Sequence, residues 1–134
     1  KAFYYSDKIC TGLQLTNFYQ DLGIDYSKGR FYLPQDEMIK FEVDEKMFEF
    51  KQNNLNLKQL LKYSVERAEN MLLEGKQLLR FLDGRLKYEI RWTIFGGLET
   101  LNKIKKIDYN VINERPSLTK TDFVRLLFRS MMYK

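Results

Sequence analysis

The chain has 134 residues, 44% of them hydrophobic and 15% aromatic, and a formal charge of +5. This length allows one domain with a core of its own, and the apolar content excludes a disordered tail. The chain has no histidine and a single cysteine, Cys10, which excludes histidine-dependent triads, most zinc sites and an internal disulfide. The positive charge favours an anionic partner: nucleic acid, a membrane surface or a phosphorylated ligand.

Helical spacing of apolar residues dominates the chain, and strand-like alternation is scarce. A first helix is predicted over residues 2–26 and gives way at the glycine of "SKGR". The segment "RFYLP" is predicted to be extended, because a residue that precedes proline avoids helical angles. Short helices are predicted in "PQDEMIKF", with Pro34 in the first turn, and in "DEKMFEFKQ", with Asp44 as the N-cap.

Three longer segments complete an all-α prediction. An amphipathic helix is predicted over 54–82, with apolar residues at 57, 60, 61, 65, 68, 72, 79 and 82. The sequence "DGR" at 83–85 interrupts it, and a further helix carries Leu86, Ile90, Ile94, Leu98, Leu101 and Ile104 on one side. A loop over 108–120 precedes a last helix, which Thr119 or Thr121 is placed to cap. No apolar run reaches the roughly 18 residues of a membrane span.

Four polar side chains recur along one face of the first predicted helix: Gln14, Asn17, Asp21 and Asp25. At about 100° per residue they fall within a sector of roughly 80° and extend over about 16 Å. Carboxylates one turn apart can share Mg²⁺ ions that bridge to phosphate oxygens, and the Asn17 amide adds a neutral oxygen ligand. The spacing by itself favours a solvated helix face, since acids at i and i+4 are common on exposed helices.

Side chains around this stripe also have two interpretations. Lys28 and Arg30 can neutralise the charge of a phosphorylated ligand, or they are ordinary cations at a helix end. Cys10 and Phe18 lie beside the stripe, where such residues are more often part of a core than walls of a pocket.

The segment "GLQLTNFYQDLGIDYSKGRFYLP" resembles the second aspartate-rich motif of the squalene/phytoene synthase family, the head-to-head prenyl transferases. The family pattern is Q-x-x-N-x-x-x-D-x-x-x-D followed by G-R-x-Y-x-P. Eight positions match it: Gln14, Asn17, Asp21, Asp25, Gly29, Arg30, Tyr32 and Pro34. The resemblance continues over 84–129, so residues 1–134 resemble the C-terminal half of one family domain. Since the sequence starts at Lys1 in what reads as mid-helix, we expect the N-terminal half, with the other aspartate motif, to be absent.

The resemblance implies an isoprenoid-synthase-type helical bundle around a deep apolar cavity, of which this chain is the C-terminal portion. It implies that Asn17, Asp21 and Asp25 hold Mg²⁺ and the diphosphate of an isoprenoid diphosphate substrate, and that Gln14 contacts this substrate near its reactive end. The other predicted substrate-binding residues are Gln20, Phe18, Cys10 and Arg30. No catalytic residue is assigned.

Two departures from the family pattern suggest a branch. Many members carry arginine where this chain has Gln20, and in reductive squalene synthases that arginine is linked to the NADPH site, so no NADPH is expected. "NFYQD" together with the "GGL" at Gly96 and Gly97 resembles the hydroxysqualene synthases of the bacterial hopanoid pathway, which convert presqualene diphosphate to hydroxysqualene with release of diphosphate. The alternative within the family is head-to-head condensation by a presqualene diphosphate, dehydrosqualene or phytoene synthase.

A function of another class remains open, namely a non-catalytic helical module that binds a membrane or a partner. "FVRLLFRSMMYK" pairs an apolar face with Arg125, Arg129 and Lys134, as an interfacial helix does. A terminal helix packed on the bundle is favoured, because amphipathicity serves both uses. Nucleic-acid binding is not expected, since the basic residues are scattered and no recognition motif accompanies them.

The resemblance and the composition together give expectations for the behaviour of the chain. A single cysteine fits a reducing cytoplasm, with peripheral contact with the inner membrane as an open alternative. A chain that holds half of the metal cage is expected to be inactive by itself. The exposed apolar face of an incomplete bundle is expected to cause self-association.

Overall fold

The computed structural model describes residues 1–30 and 33–132 of the chain. Every regular element within these ranges is helical, which confirms the all-α prediction. The elements are α1 (Ala2–Gln20), α2 (Leu22–Ser27), α3 (Gln35–Lys40), α4 (Lys46–Glu49), α5 (Leu55–Gly75), a 3₁₀ helix (Lys76–Phe81), α6 (Gly84–Lys106) and α7 (Lys120–Met132). Tyr32 of the family motif and Lys134 of the basic C-terminus lie outside the described residues.

The predicted first helix is divided at Asp21, so the prediction of one element over 2–26 is wrong in this respect. Asp21 has φ −96° and ψ 6°, but its N–H still donates to the carbonyl of Asn17 at 3.0 Å. The N–H of Asp25 donates in turn to the carbonyl of Asp21 at 2.7 Å. The backbone therefore keeps a nearly helical path across the break, and the one-turn spacing of the three polar side chains is retained.

The short helices α3 and α4 form where they are predicted, but both begin differently. Pro34 precedes α3, and its carbonyl accepts the N–H of Met38 at 3.0 Å. The residue at the N-cap of α4 is Glu45 rather than Asp44. The Asp44 carboxylate accepts the N–H of Lys46 at 3.1 Å instead, which stabilises the turn just before the helix.

The long helix predicted over 54–82 ends as an α-helix at Gly75 and continues as a 3₁₀ helix. Asn54 caps its start, because its side-chain oxygen accepts the N–H of Leu57 at 2.9 Å. At Gly75 a Cβ atom would lie 2.5 Å from the side chain of Ile9. Glycine at this position, which has low helix propensity, is therefore needed for the close approach of α1.

The core is formed mainly by α1, α5 and α6, and most of the predicted apolar stripe of α5 is buried. Residues without any solvent exposure include Leu57, Leu60, Leu61, Val65, Leu72, Ile94, Leu101 and Ile104. Full burial of each such side chain contributes about 1.5–3 kcal/mol to folding. Leu86 was predicted to share the buried side of α6, but it lies in the first turn and is 51% exposed.

The last helix begins at a reciprocal cap made by Thr119 and Asp122. The N–H of Asp122 donates to the Thr119 hydroxyl at 3.1 Å, and the N–H of Thr119 donates to the Asp122 carboxylate at 2.8 Å. Of the two predicted caps, Thr119 is the one used. The helix packs on α6 through Leu126 and Ser130, and the guanidinium of Arg91 donates to the Ser130 carbonyl at 2.8 Å.

The opposite side of α7 is apolar and exposed. Val124, Phe128 and Met132 are 55%, 63% and 79% exposed. None of the described helices is both long and apolar enough to cross a bilayer. The prediction that the terminal helix packs on the bundle is therefore correct for the side of α7 that carries Leu126 and Ser130. The other side of α7 contacts no partner among the described residues.

Candidate functional site

The predicted polar stripe lies along the accessible side of α1 and continues into α2. Gln14 and Asn17 are exposed on α1, and Cys10 is exposed two turns before Asn17. Asp21 stands at the break between the helices, and Asp25 lies in α2, both of them half-buried. The structure thus brings the three predicted metal ligands together on one side of the molecule, with one helical turn between neighbours.

A recess of about 360 Å³ flanks this stripe on the side of α6. Its lining includes Asn17, Gln20, Thr100, Arg115, Ser117 and Leu118. One wall belongs to the return loop, which we define as residues 107–119 between α6 and α7. Asn17 and Gln20 therefore lie at the edge of a concave surface whose lining mixes polar side chains with the apolar Leu13, Leu118 and Phe123.

A second groove of about 290 Å³ flanks the stripe on the other side. It is lined by Gln14, Leu15, Phe18, Tyr19, Pro34 and Arg67. Phe18 packs edge-on against Tyr19, with 5.7 Å between the ring centroids. The predicted substrate-binding residues are therefore divided, with Gln20 in the recess and Gln14 and Phe18 in the groove.

Arg67 places a guanidinium at the groove, where it forms an ion pair with the Glu37 carboxylate. Burial opposes this charge, but hydrogen bonds to Glu37 and Tyr19 outweigh it and raise the pKa of the guanidinium above its ordinary value. The bond between Arg67 and the Tyr19 hydroxyl is 3.2 Å long. The groove thus combines an aromatic wall with the guanidinium of the Arg67–Glu37 ion pair, next to the predicted contact Gln14.

The two predicted carboxylate ligands, Asp21 and Asp25, take no part in the lining of either depression, and neither do Cys10 and Arg30. The Cys10 thiol is free and exposed. Arg30 is exposed directly after α2, where Gly29 adopts a φ of +76° that glycine accommodates readily. This turn brings the N–H of Arg30 within 2.8 Å of the Asp25 carbonyl, so Arg30 lies close to the metal-ligand stripe.

Arg115 is a residue of this site that the sequence did not reveal. Its Nε donates to Oδ1 of Asp21 at 2.7 Å, an ion pair between residues 94 positions apart. The neighbouring carbonyl of Pro116 accepts a hydrogen bond from the Gln20 amide at 2.6 Å. No periodic pattern marks Arg115, because it lies in an irregular loop and meets Asp21 only through the tertiary fold.

The return loop is held against α2 by a close backbone contact. A Cβ atom at Gly23 would lie 2.6 Å from the carbonyl oxygens of both Val111 and Ile112. Glycine is therefore required at position 23 for this approach. Together with the Gln20 hydrogen bond, this contact fixes the backbone of the loop beside the predicted metal ligands.

The donor set of the stripe has the chemistry that Mg²⁺ prefers. It offers two carboxylates and one amide oxygen, and Mg²⁺ binds hard oxygen ligands, completing its shell with water or phosphate oxygens. The side chains of Asn17 and Asp25 make no hydrogen bond or ion pair with other described residues, while Asp21 gives one oxygen to Arg115. No cluster of three or more His, Cys, Asp or Glu side chains suited to a metal occurs in residues 1–30 and 33–132. The residues fit the ion.

The "GGL" sequence of α6 has a packing role. A Cβ atom at Gly97 would lie 2.8 Å from the Leu13 side chain and 3.0 Å from that of Leu72. Gly97 therefore allows α6 to approach α1 and α5 closely, behind the wall of the recess. Helix packing therefore requires glycine at position 97, whichever reaction the site carries out.

Comparison with known proteins identifies the family. The model of the squalene/phytoene synthase family matches residues 3–122. The chain belongs to the squalene/phytoene synthase family. It is 30% identical over 105 residues to a 15-cis-phytoene synthase of Synechocystis sp., a match that covers 76% of this chain and 30% of that protein. It is also 30% identical over 123 residues to phytoene synthase 1 of Zea mays, covering 87% of this chain and 29% of that protein.

A solved structure shows the same fold. A dehydrosqualene synthase in complex with a ligand matches this chain with a TM-score of 0.87 and 27% sequence identity. The match covers 96% of this chain and 46% of that protein, which confirms the isoprenoid-synthase-type helical fold. The chain spans about a third of the length of the phytoene synthases named above.

Proposed function

We propose that this chain supplies the Mg²⁺- and diphosphate-binding side of an isoprenoid diphosphate synthase, with Asn17, Asp21 and Asp25 as the metal ligands. The observation that carries the proposal is the arrangement of these three side chains. They lie one turn apart along one side of α1 and α2, with Asn17 in the lining of the recess, in a member of the squalene/phytoene synthase family.

The chemistry of the donor set supports this proposal. Bound Mg²⁺ supplies neutralisation of the negative charge that develops on diphosphate as it leaves. The carboxylates of Asp21 and Asp25 act as ligands and set the local electrostatics, and neither is a nucleophile. The exposed Arg30, whose backbone is held next to Asp25, can approach the phosphate oxygens that remain.

The groove supplies the complementary surface for the hydrocarbon end of the substrate. Phe18, which lines the groove, can offer an aromatic face that stabilises a carbocation by about 0.5–2 kcal/mol, and the buried ring of Tyr19 supports it edge-on. Gln14 lies in the same groove and can orient the carbon that loses diphosphate. Charge neutralisation and cation stabilisation would then take place on opposite sides of one helical stripe.

The specific reaction that we propose is the conversion of presqualene diphosphate to hydroxysqualene. The carbon–oxygen bond to diphosphate breaks, the electron pair leaves with diphosphate, and a water molecule adds its oxygen to the rearranged cation and loses a proton. Gln20 supports this assignment, because a neutral amide hydrogen-bonded to the Pro116 carbonyl stands where reductive members carry arginine. The reaction needs no reductant, so the proposal includes no NADPH.

The second candidate is head-to-head condensation of two prenyl diphosphates. The named relatives favour it, since they are phytoene synthases and a dehydrosqualene synthase. This reaction uses the same diphosphate chemistry at the same stripe, and it differs in needing two prenyl groups bound at once. The geometry of Asn17, Asp21 and Asp25 is compatible with both reactions.

Product analysis separates these candidates. The protein, expressed from its complete coding sequence, is incubated with Mg²⁺ and presqualene, farnesyl or geranylgeranyl diphosphate in separate reactions, and the extracts are analysed by mass spectrometry. We expect hydroxysqualene from presqualene diphosphate and no condensation product from the other two substrates. Presqualene diphosphate or dehydrosqualene formed from farnesyl diphosphate, or phytoene formed from geranylgeranyl diphosphate, would show the second candidate to be correct. The Asp25→Asn variant is the control and is expected to form no product.

A further inference from the structure

The ion pair between Arg115 and Asp21 places a cation on a residue that the proposed function assigns to a metal. Arg115 Nε lies 2.7 Å from Oδ1 of Asp21, within hydrogen-bond distance. A guanidinium keeps its charge throughout the physiological pH range. A divalent cation on the same carboxylate oxygen would therefore meet both a competitor and a like charge.

We propose that Arg115 is a positioning residue that occupies Asp21 in the metal-free chain and gives up this carboxylate oxygen when a divalent cation binds. This inference rests on the proposed function, because it takes Asp21 as a metal ligand. It adds a residue of the return loop to the site and gives the site two states. In one state Asp21 is paired with Arg115, and in the other Asp21 is bound to the metal.

The exposure of the ion pair makes such an exchange feasible. The side chains of Arg115 and Asp21 are 43% and 35% exposed, so solvent screens their attraction. Partly exposed ion pairs contribute little net stability. A divalent cation that also binds Asn17 and Asp25 gains several oxygen ligands at once, and this gain can outweigh the loss of a single pair.

The backbone of the return loop allows the Arg115 side chain to move without unfolding the loop. The Pro116 carbonyl is bound by Gln20, and the backbone at Val111 and Ile112 lies against Gly23. Both contacts are independent of the Asp21 carboxylate. The exchange is therefore a side-chain movement on a fixed support, next to the recess that Arg115 lines.

Metal affinity of the chain gives the first test. Mn²⁺ is used as the probe, and free Mn²⁺ is measured by electron paramagnetic resonance for the unmodified chain and for Arg115→Gln. Removal of the competing cation should tighten Mn²⁺ binding about tenfold, a change of about 1.4 kcal/mol. The matched control is Lys62→Gln, which removes one exposed positive charge on α5 from a residue that forms none of the ion pairs seen in the described ranges. Its affinity should change less than twofold.

Nuclear magnetic resonance gives the second test, in which the unmodified chain is observed and a variant is used only to assign the signal. The Nε–Hε signal of Arg115 is followed during a titration with Mg²⁺, and Arg115→Lys, which lacks this group, identifies the signal. We expect the signal to shift as Mg²⁺ saturates the site, because its hydrogen bond to Asp21 is lost. An unchanged signal at saturation would overturn the proposal, whatever the stability of the Gln variant.

The outcomes distinguish this inference from the function on which it rests. If the chain binds Mn²⁺ through Asp25 but Arg115→Gln binds it equally or more weakly, the exchange is wrong and the metal site stands. If neither protein binds Mn²⁺, the metal site and the exchange are both wrong. If Arg115→Gln binds Mn²⁺ tightly and the unmodified chain does not, competition between Arg115 and the metal for Asp21 is supported.

Discussion

At the scale of single residues, Asp25 is the predicted ligand best suited to a mutational test. Its carboxylate makes no hydrogen bond or ion pair with other described residues, so Asp25→Asn should leave the fold unchanged. Substitutions in the outer shell of a metal cost ten- to a hundredfold in affinity, and loss of a direct ligand should cost at least about tenfold. Mn²⁺ binding measured by electron paramagnetic resonance checks this. The control Asp7→Asn, on an exposed residue earlier in α1, should bind as the unmodified chain does, and an equal loss in both variants would refute the assignment.

Asp122 is predicted to make the start of α7 sensitive to acid. Hydrogen bonds from the Lys103 ammonium and from Thr119 hold the pKa of this carboxyl well below its usual range. A depressed pKa in the folded state contributes stability above the unfolded pKa of about 4, and this stability is lost as pH falls toward the folded value. The melting temperature of the unmodified chain should therefore exceed that of Asp122→Asn above about pH 5, and the difference should shrink at lower pH. A difference that is constant with pH would contradict this role.

The candidate site could be predicted from the sequence only where it follows helical spacing. Asn17, Asp21 and Asp25 lie one turn apart, and the motif around them carries the family resemblance, so both signals are local. Arg115 could not be found in this way, because its partner Asp21 is 94 residues away and nothing in the return loop is periodic. The division of Gln14 and Gln20 between two depressions likewise depends on the helices and loops that pack beside α1.

At the scale of elements, the close packing of α6 on α1 and α5 predicts different results for two adjacent glycines. A Cβ atom at Gly97 would lie 2.8 Å from the Leu13 side chain, whereas at Gly96 the nearest side-chain atom, from Leu118, is 3.7 Å away. Both substitutions to alanine gain the same helix propensity, and only the first introduces overpacking, which costs about 1–3 kcal/mol. Gly97→Ala should therefore be less stable than Gly96→Ala by about this amount in urea denaturation. Equal stability of the two variants would show that the interface is looser than described.

The helices were largely predictable, and their interruptions were not. Apolar periodicity placed α5 and α6 because each has one side buried in the core. The break at Asp21 and the change to a 3₁₀ helix after Gly75 leave the periodicity nearly intact, so the pattern does not report them. The same limit explains Leu86, which continues the apolar spacing of α6 and yet lies exposed in its first turn.

At the scale of the whole molecule, the exposed side of α7 predicts self-association of this chain. Val124, Phe128 and Met132 form an apolar surface that has no partner among the described residues. Large exposed apolar patches favour association in water. Sedimentation velocity should show species larger than the monomer, and Phe128→Glu should shift the population toward the monomer. A monomer for the unmodified chain at all concentrations would contradict this prediction.

Peripheral membrane binding is the alternative to self-association for the same exposed side of α7. Arg129 is exposed on α7 beside the apolar residues, an arrangement that suits an anionic bilayer surface, whereas the exposed Arg125 is paired with Glu99 and Asp122. If the surface binds membranes, the chain should co-sediment with vesicles that contain anionic lipid, and Phe128→Glu should reduce this binding. Equal sedimentation with and without vesicles would leave self-association as the only use of this surface that we propose.

The central claim is that Asn17, Asp21 and Asp25 together hold the metal that binds diphosphate. Its most direct test is an anomalous difference map from crystals of the chain soaked with Mn²⁺ and pyrophosphate. We predict one or more Mn²⁺ peaks within coordination distance of the Asp21 and Asp25 carboxylates and the Asn17 amide oxygen, with pyrophosphate oxygens completing the shell. A map in which Mn²⁺ lies elsewhere, while Asp21 stays paired with Arg115 and Asp25 faces only water, would contradict the account.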